Sequence, residues 1–351
     1  MKMLKGALIG CGAIAREHLI ALAQLKNVQV VGLCDLSPAR AEATAERFGI
    51  KKWYTNYQQL LTETEPDLVH ITTPPSSHFS IANACLNAKL NVICEKPITV
   101  EYTDFSALNE LAKRNGCVLM ENQQLRFHSS VLRIRELVSS GELGDVLDVQ
   151  MFVAVNSGGS SPYADRNTPH FSLALRGGII GDFLPHIAYL THIFTGSVLD
   201  LRTVWTKRNV DSPLPADEFR AFIKGERATG YVAFTGNGQP GGFWLSVTGT
   251  RMRAEANLFE SPRISFRRFR PGEPALMSLT DGIIESRDTF TGTVGVFWKK
   301  LGGVGSYDGL SQIIARTYHA VEMKEPQPVP LEEIAEVARL VDRFAQSDLS
   351  L

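Results

Sequence analysis

From Lys5 to Arg126, short apolar runs alternate with segments whose apolar positions recur every three or four residues, the periods of strand and helix. The runs predict strands at Lys5–Ile9, Val28–Cys34, Trp53–Tyr54, Leu68–Thr72, Val92–Cys94 and Cys117–Glu121. Between them the longer period predicts helices up to Leu25, then over Pro38–Phe48, Tyr57–Thr64, Phe79–Ala88 and Tyr102–Asn115, with a further one over Leu132–Ser140. Gly49 closes the second helix, and Glu65-Pro66-Asp67 stops the third. Strict strand-helix alternation implies a right-handed, doubly wound parallel sheet.

The period changes near Leu143. Long strands follow over Val146–Val155, Leu199–Arg208, Phe219–Ile223, Gly230–Thr235, Phe243–Val247 and Ile264–Phe269. They suit one open, mostly antiparallel sheet interrupted by a helix over Gly178–Phe194. The reading is therefore an α/β chain of two domains, residues 1–143 and 144–351. Segments Ser311–Met323 and Leu331–Ala345 are expected to be helices that return to pack on the domains.

Composition narrows the class of partner. With 44% hydrophobic and 21% charged residues the chain can build two cores, and a formal charge of −1 offers no general field for nucleic acid or an anionic membrane. A small molecule is the expected partner. No apolar run reaches the roughly 18 residues of a spanning helix, and Met1 to Lys5 leads straight into a strand, so a cytoplasmic location is expected. Cys11, Cys34, Cys85, Cys94 and Cys117 have irregular spacing without Cys-x-x-Cys pairs, which points to reduced thiols.

The chemistry gathers at predicted strand ends. Gly10-Cys11-Gly12-Ala13-Ile14-Ala15 follows the first strand and opens a helix, a dinucleotide fingerprint with alanine at its last position. Gly10 permits the turn, Gly12 admits a pyrophosphate, and the helix start at Ala13 and Ile14 offers amides. Asp35 ends the second strand, where a ribose hydroxyl needs an acceptor. Its charge favours NAD, yet Arg40 could hold the extra phosphate of NADP or simply lie on a solvated helix face.

The fourth strand runs into Thr73-Pro74-Pro75-Ser76-Ser77-His78, and the fifth into Glu95-Lys96-Pro97. Lys96 there could move protons; taken alone, Lys96-Pro97 reads first as a solvated strand end with a turn-forming proline. Asp182 and His186, four apart on one helix face, read alone as a surface pair or as catalysts. The remaining histidines, including His18 and His70, show no ligand spacing, and no metal site is expected.

With these motifs in this order, the chain resembles the glucose-fructose oxidoreductase, inositol dehydrogenase and rhizopine-catabolism (Gfo/Idh/MocA) family. The resemblance implies a Rossmann domain and a C-terminal α/β domain whose sheet makes a dimer or tetramer interface. It implies that Lys96 and His186 are catalytic, with Asp182 positioning substrate or orienting the histidine. Thr73, Pro74, His78 and Glu95 would line the nicotinamide side, Gln124 and Arg126 would border cofactor and substrate, and the Lys96-Pro97 peptide would be cis. Two departures touch the substrate pocket: Arg176-Gly177-Gly178 stands for a glycine triplet, and Tyr189 for an aspartate often found three residues after the histidine.

The expected reaction is hydride transfer between NAD and a secondary alcohol of a sugar, cyclic polyol or nucleotide sugar. His186 would carry the hydroxyl proton and Lys96 would hydrogen-bond the reacting oxygen. Arg126, Asn156, Tyr163 and Arg176 would hold substrate hydroxyls. Arg263, Arg267, Arg268 and Arg270 alternate with apolar residues and read as a half-solvated strand, or as a diphosphate contact. Two alternatives stand: a glycoside-cleaving enzyme that oxidises transiently, and an NAD-binding sensor or scaffold without turnover.

Overall fold

The computed structural model describes residues 3–346 apart from 159–162, 164–169, 211, 213, 260–263, 269–281, 284–285, 288–289, 291–293, 295–306 and 308. The chain forms two compact units, Met1–Phe127 with Gly305–Arg339, and His128–Val304 with Leu340–Leu351. Leu143, where the change of period put the boundary, lies within the second unit.

The first unit is a six-stranded parallel sheet in the order β3-β2-β1-β4-β5-β6. Its strands are β1 Leu4–Ile9, β2 Val28–Cys34, β3 Trp53–Tyr54, β4 Leu68–Ile71, β5 Asn91–Cys94 and β6 Leu119–Glu121. The helices between them are α1 Ala13–Ala23, α2 Pro38–Phe48, α3 Tyr57–Thr64, α4 His78–Asn87 and α5 Tyr102–Asn115. Leu8, Val69 and Ile93 have no exposed surface, as expected of strands covered on both faces. Each such side chain contributes about 1.5–3 kcal/mol of burial.

Helix α2 shows how the local sequence sets its own limits. Ser37 accepts a hydrogen bond from the Arg40 amide, Pro38 occupies the first turn, and Gly49 ends the helix in the left-handed region at φ 65°. Much later in the chain, α8 (Leu310–Met323) returns to this unit and packs on α1. Its Leu310, Ile313, Ile314 and Tyr318 join the same core.

The second unit is a seven-stranded mixed sheet. In chain order it contains α6 Ser129–Ser139, β7 Val146–Asn156, α7 Ile179–Thr195, β8 Val198–Thr206, β9 Glu218–Gly225, β10 Thr229–Thr235, β11 Asn237–Gly249, β12 Met252–Asn257 and β13 Ile264–Arg268. The strand order is β13-β12-β11-β7-β10-β9-β8, and all neighbours are antiparallel except β7 and β10. Helix α7 covers one face through contacts with β7, β9 and β10. The other face shows Phe152, Val204 and Phe222, with Phe152 stacked on Trp244 and Phe222 against Tyr231.

The last helix, α9, spans Leu331–Ala345. Strand β12 was not anticipated. Arg263 and Arg270 lie outside the described residues, as do the side chains of Arg267 and Arg268 on β13. All five cysteines are free. Among the described residues no helix is long and apolar enough to cross a membrane.

Candidate active site

The sheet ladder of the first unit continues one residue beyond the strands. Asp35 N donates to Tyr54 O, Gly10 N to Cys34 O, Thr72 N to Ile9 O, Glu95 N to Ile71 O and Asn122 N to Cys94 O, at 2.7–3.1 Å. In strand order this sets Asp35, Gly10, Thr72, Glu95 and Asn122 in one row along the carboxyl edge, where open α/β sheets bind ligands.

At the glycine loop the fit to a dinucleotide is steric. Gly10 has φ +99°, and a Cβ there would lie 2.7 Å from the Thr72 carbonyl carbon and the Thr73 nitrogen. Gly12, by contrast, is exposed, and a Cβ built on it meets nothing within 4 Å. The chain is thus packed tightly at the first glycine and open at the second, where α1 begins without a side-chain cap at Ala13 and Ile14. Asp35 braces this loop: Oδ2 accepts from Cys11 N and Oδ1 from Ser37 N, both at 2.8 Å.

Those two bonds leave carboxylate lone pairs for a ribose hydroxyl. Arg40 Nη1 lies 3.6 Å from Asp35 Oδ2, with its side chain largely in solvent. The Cys11 thiol is pushed up to about 12 by burial and by the Asp35 charge, so it is inert beneath the loop.

In the proline turn, Pro74 is exposed and Thr73 half-buried. His78 is fully buried. Its Nδ1 lies 2.8 Å from Pro97 O and its Nε2 2.8 Å from Thr73 O, so its ring joins the proline turn to the Glu95-Lys96-Pro97 segment. Burial lowers its pKa against the pull of those carbonyls. The Lys96-Pro97 peptide is cis.

Glu95 is 7% exposed and closely held. Its Oε1 accepts from His18 Nε2 at 2.8 Å and from Asn122 Nδ2 at 2.5 Å, and its Oε2 from Lys96 N at 3.3 Å. Burial works to raise its pKa, but the bonds from His18 and Asn122 and the Lys96 charge prevail and lower it. Neighbouring Glu121 goes the other way, raised by burial, while it accepts from Ile98 N and Gln123 Nε2. Carboxyls perturbed in this way cluster at functional sites.

Gln124 Oε1 accepts from Asn122 Nδ2 at 3.0 Å, which ties it into the same row. Arg126 is 5% exposed and pairs with Glu333 on α9 at 2.5 Å, while its Nη1 is buried with no hydrogen-bond partner.

In the second unit, Gly177 and Gly178 have positive φ of 79° and 62° and lead into α7. A Cβ on Gly177 would strike the Trp205 ring at 2.4 Å, so the entry to α7 needs glycine there. On α7, Asp182 and His186 share a face and are each 7% exposed. His186 Nδ1 lies 2.7 Å from Tyr189 Oη, and Tyr189 has no exposed surface. Tyr163 packs edge-on to His170 at 4.8 Å between ring centres, and Asn156 and Arg176 are exposed.

Sequence reasoning missed the partners of Glu95. His18 comes from α1 and Asn122 from beyond β6, and behind His18 lie His70 on β4 and Tyr318 on α8. No local spacing links them, because the sheet brings them together. Among the described residues no group of three or more histidine, cysteine, aspartate or glutamate side chains could hold a metal ion.

Residues 4–123 match the model of the oxidoreductase family with an NAD-binding Rossmann fold, and residues 131–255 the Gfo/Idh/MocA C-terminal domain. The chain belongs to the Gfo/Idh/MocA oxidoreductase family. Its first unit is the family's NAD-binding Rossmann domain.

Among Gfo/Idh/MocA relatives, it is 28% identical to D-apiose dehydrogenase of Paraburkholderia graminis over 211 residues, 60% of this chain and 54% of that protein. It is 32% identical to inositol 2-dehydrogenase of Salmonella paratyphi B over 149 residues, 42% of this chain and 44% of that one. The chain thus spans about half the length of these curated relatives. An oxidoreductase from Agrobacterium radiobacter, solved with NAD+, L-tartaric acid and magnesium, superposes with TM-score 0.76 at 17% identity over 97% of this chain and 95% of that one. The WlbA dehydrogenase from Bordetella pertussis, solved with NADH and UDP-GlcNAcA, gives 0.74 at 16% identity over 98% and 96%. Both are likenesses of fold.

Proposed function

We propose that the chain is an NAD-dependent dehydrogenase acting on a secondary alcohol of a sugar, cyclic polyol or nucleotide sugar. The observation that carries this reading is the row of Asp35, Gly10, Thr72 and Glu95 along one sheet edge, with Lys96 directly after it. Relatives named for inositol, apiose and a dTDP-linked sugar support the substrate class.

NAD, when bound, supplies the hydride acceptor. His186 takes the hydroxyl proton, and Lys96 hydrogen-bonds the reacting oxygen as it gains charge. Tyr189 orients the His186 ring, and Asp182 holds substrate beside it. Gln124, Arg126, Asn156, Tyr163 and Arg176 supply further polar contacts to cofactor and sugar. Asp35 disfavours a 2′-phosphate, which makes NAD the expected cofactor. The unit of Met1–Phe127 with Gly305–Arg339 serves the cofactor, and the other unit substrate and assembly.

A panel of sugars, polyols and nucleotide sugars, scored by the absorbance of reduced cofactor, identifies the substrate. Lys96→Ala and His186→Ala should each lower kcat by about 10²–10⁴ while NAD still binds. Near wild-type turnover in both variants rules out these roles.

The exposed sheet face with Phe152, Trp244, Val204 and Phe222 pairs with a second copy of the chain. Phe222→Asp should shift the sedimentation coefficient toward that of a smaller species; an unchanged coefficient removes this face from the interface. Free cysteines support a reducing compartment, the cytoplasm.

A further inference from the structure

Three hydrogen bonds run in series from the cofactor edge into the core of the first unit. His18 Nε2 lies 2.8 Å from Glu95 Oε1, His18 Nδ1 2.9 Å from His70 Nδ1, and His70 Nε2 3.1 Å from Tyr318 Oη. His18 and His70 have no exposed surface, and Tyr318 is 1% exposed. Gly6 makes room at the far end, since a Cβ there would lie 2.4 Å from the Tyr318 hydroxyl.

Matching donors to acceptors gives the series a direction. If Tyr318 donates to His70 Nε2, the neutral His70 ring carries its hydrogen on Nδ1 and donates to His18 Nδ1. His18 then carries its hydrogen on Nε2 and donates to Glu95, which accepts as a carboxylate. Every group is satisfied. The reverse direction puts an extra proton on Glu95 or His18, and it leaves the Tyr318 hydrogen buried with no acceptor among the described residues.

The row along the sheet edge says which part of the cofactor Glu95 faces. Asp35 takes the adenosine ribose on one side of Gly10, so the rest of the dinucleotide extends over Thr72 and Glu95 on the other. Glu95 is two strands from Gly10, about 10 Å away. That is the nicotinamide end.

The geometry points to His18, His70 and Tyr318 as positioning residues that hold Glu95 as a fixed negative charge, so that the first unit binds the oxidised, cationic nicotinamide in preference to the neutral reduced ring. This rests on the reading of the chain as an NAD-dependent dehydrogenase. The other titratable groups facing Glu95 are Lys96 beside it, His78 from α4 and Glu121 from β6. His70 is kept neutral by burial, as the direction requires.

The test is direct binding of NAD+ and NADH to the full chain by calorimetry. Glu95→Gln should raise the ratio of the NAD+ to the NADH dissociation constant by about tenfold. His18→Leu should raise it by about threefold or more, and His18→Gln, which restores a donor to Glu95, should bring it back to within about twofold of wild type. If His18→Leu does not fold, Tyr318→Phe decides: it releases the direction of the series and should move the ratio the same way. An unchanged ratio in Glu95→Gln, or in the folded His18 and Tyr318 variants, overturns the inference while leaving the dehydrogenase reading intact. A wild-type chain that binds neither nucleotide overturns both.

Discussion

The two units hold their chemistry in different ways. In the first, the candidate groups stand on strand ends, and the ladder that pairs β2, β1, β4, β5 and β6 also sets the spacing of Asp35, Gly10, Thr72, Glu95 and Asn122. In the second, Asp182 and His186 ride on one face of α7, and their placement depends on a helical period and on the glycine entry at Gly177 and Gly178. A strand-end site is built by backbone hydrogen bonds, so a backbone change should damage it most. A helix-face site is built by side chains, so it should lose function in smaller steps.

The largest effect is expected at the glycine loop. Gly10→Ala forces a Cβ against the Thr72 backbone at a left-handed φ, so stability should fall by about 1–3 kcal/mol in denaturant melts, and NAD binding should disappear. Gly12→Ala has room within the protein and should keep wild-type stability while weakening NAD binding. Equal melting of both variants would break the picture of one tight and one open glycine.

The buried histidine gives a pH test of the same unit. His70 sits well below its ordinary value, held there by burial and by His18. Below the unfolded-state value of about 6.5, the unfolded chain takes up a proton that the folded chain refuses. The stability of neutral His70 is therefore complete above that pH and is lost as pH falls toward the depressed folded value, at about 1.4 kcal/mol per pH unit. His70→Leu should flatten this slope in melts compared between about pH 7 and 5.5. An identical slope in both proteins would mean that other groups govern the acid response.

The smallest effect belongs to α7. Tyr189→Phe removes a hydroxyl 2.7 Å from His186 Nδ1, a loss of about 1 kcal/mol, and should lower kcat/KM by about fivefold without changing NAD affinity. An unaltered kcat/KM would show that the imidazole is oriented by other groups.

Short motifs were readable wherever local chemistry dictates local shape. Helix α2 has the expected limits because Ser37, Pro38 and Gly49 each act on their own neighbours. The glycine loop stands where its motif put it, and the Lys96-Pro97 peptide is cis, as the family resemblance implied. Strand β12 escaped notice because its buried positions after Met252 are the small Ala254 and Ala256, which give a weak alternation signal. The partners of Glu95 were invisible for a different reason: His18 is 77 positions away and Asn122 is 27. Separations of that size carry no periodicity. The pairing of Arg126 with Glu333 on α9 was hidden in the same way.

Helix α8 has a consequence for how the protein is made. A ribosome releases Met1–Phe127 before α8, yet that piece lacks the core residues Leu310, Ile313, Ile314 and Tyr318 that close its own unit. Residues His128–Val304 must therefore be synthesised while the nucleotide-binding half is still open. Vectorial synthesis makes a helix that emerges after His128–Val304 part of the core of a domain begun before them, and a message truncated before Leu310 would yield a Rossmann domain missing part of its interior.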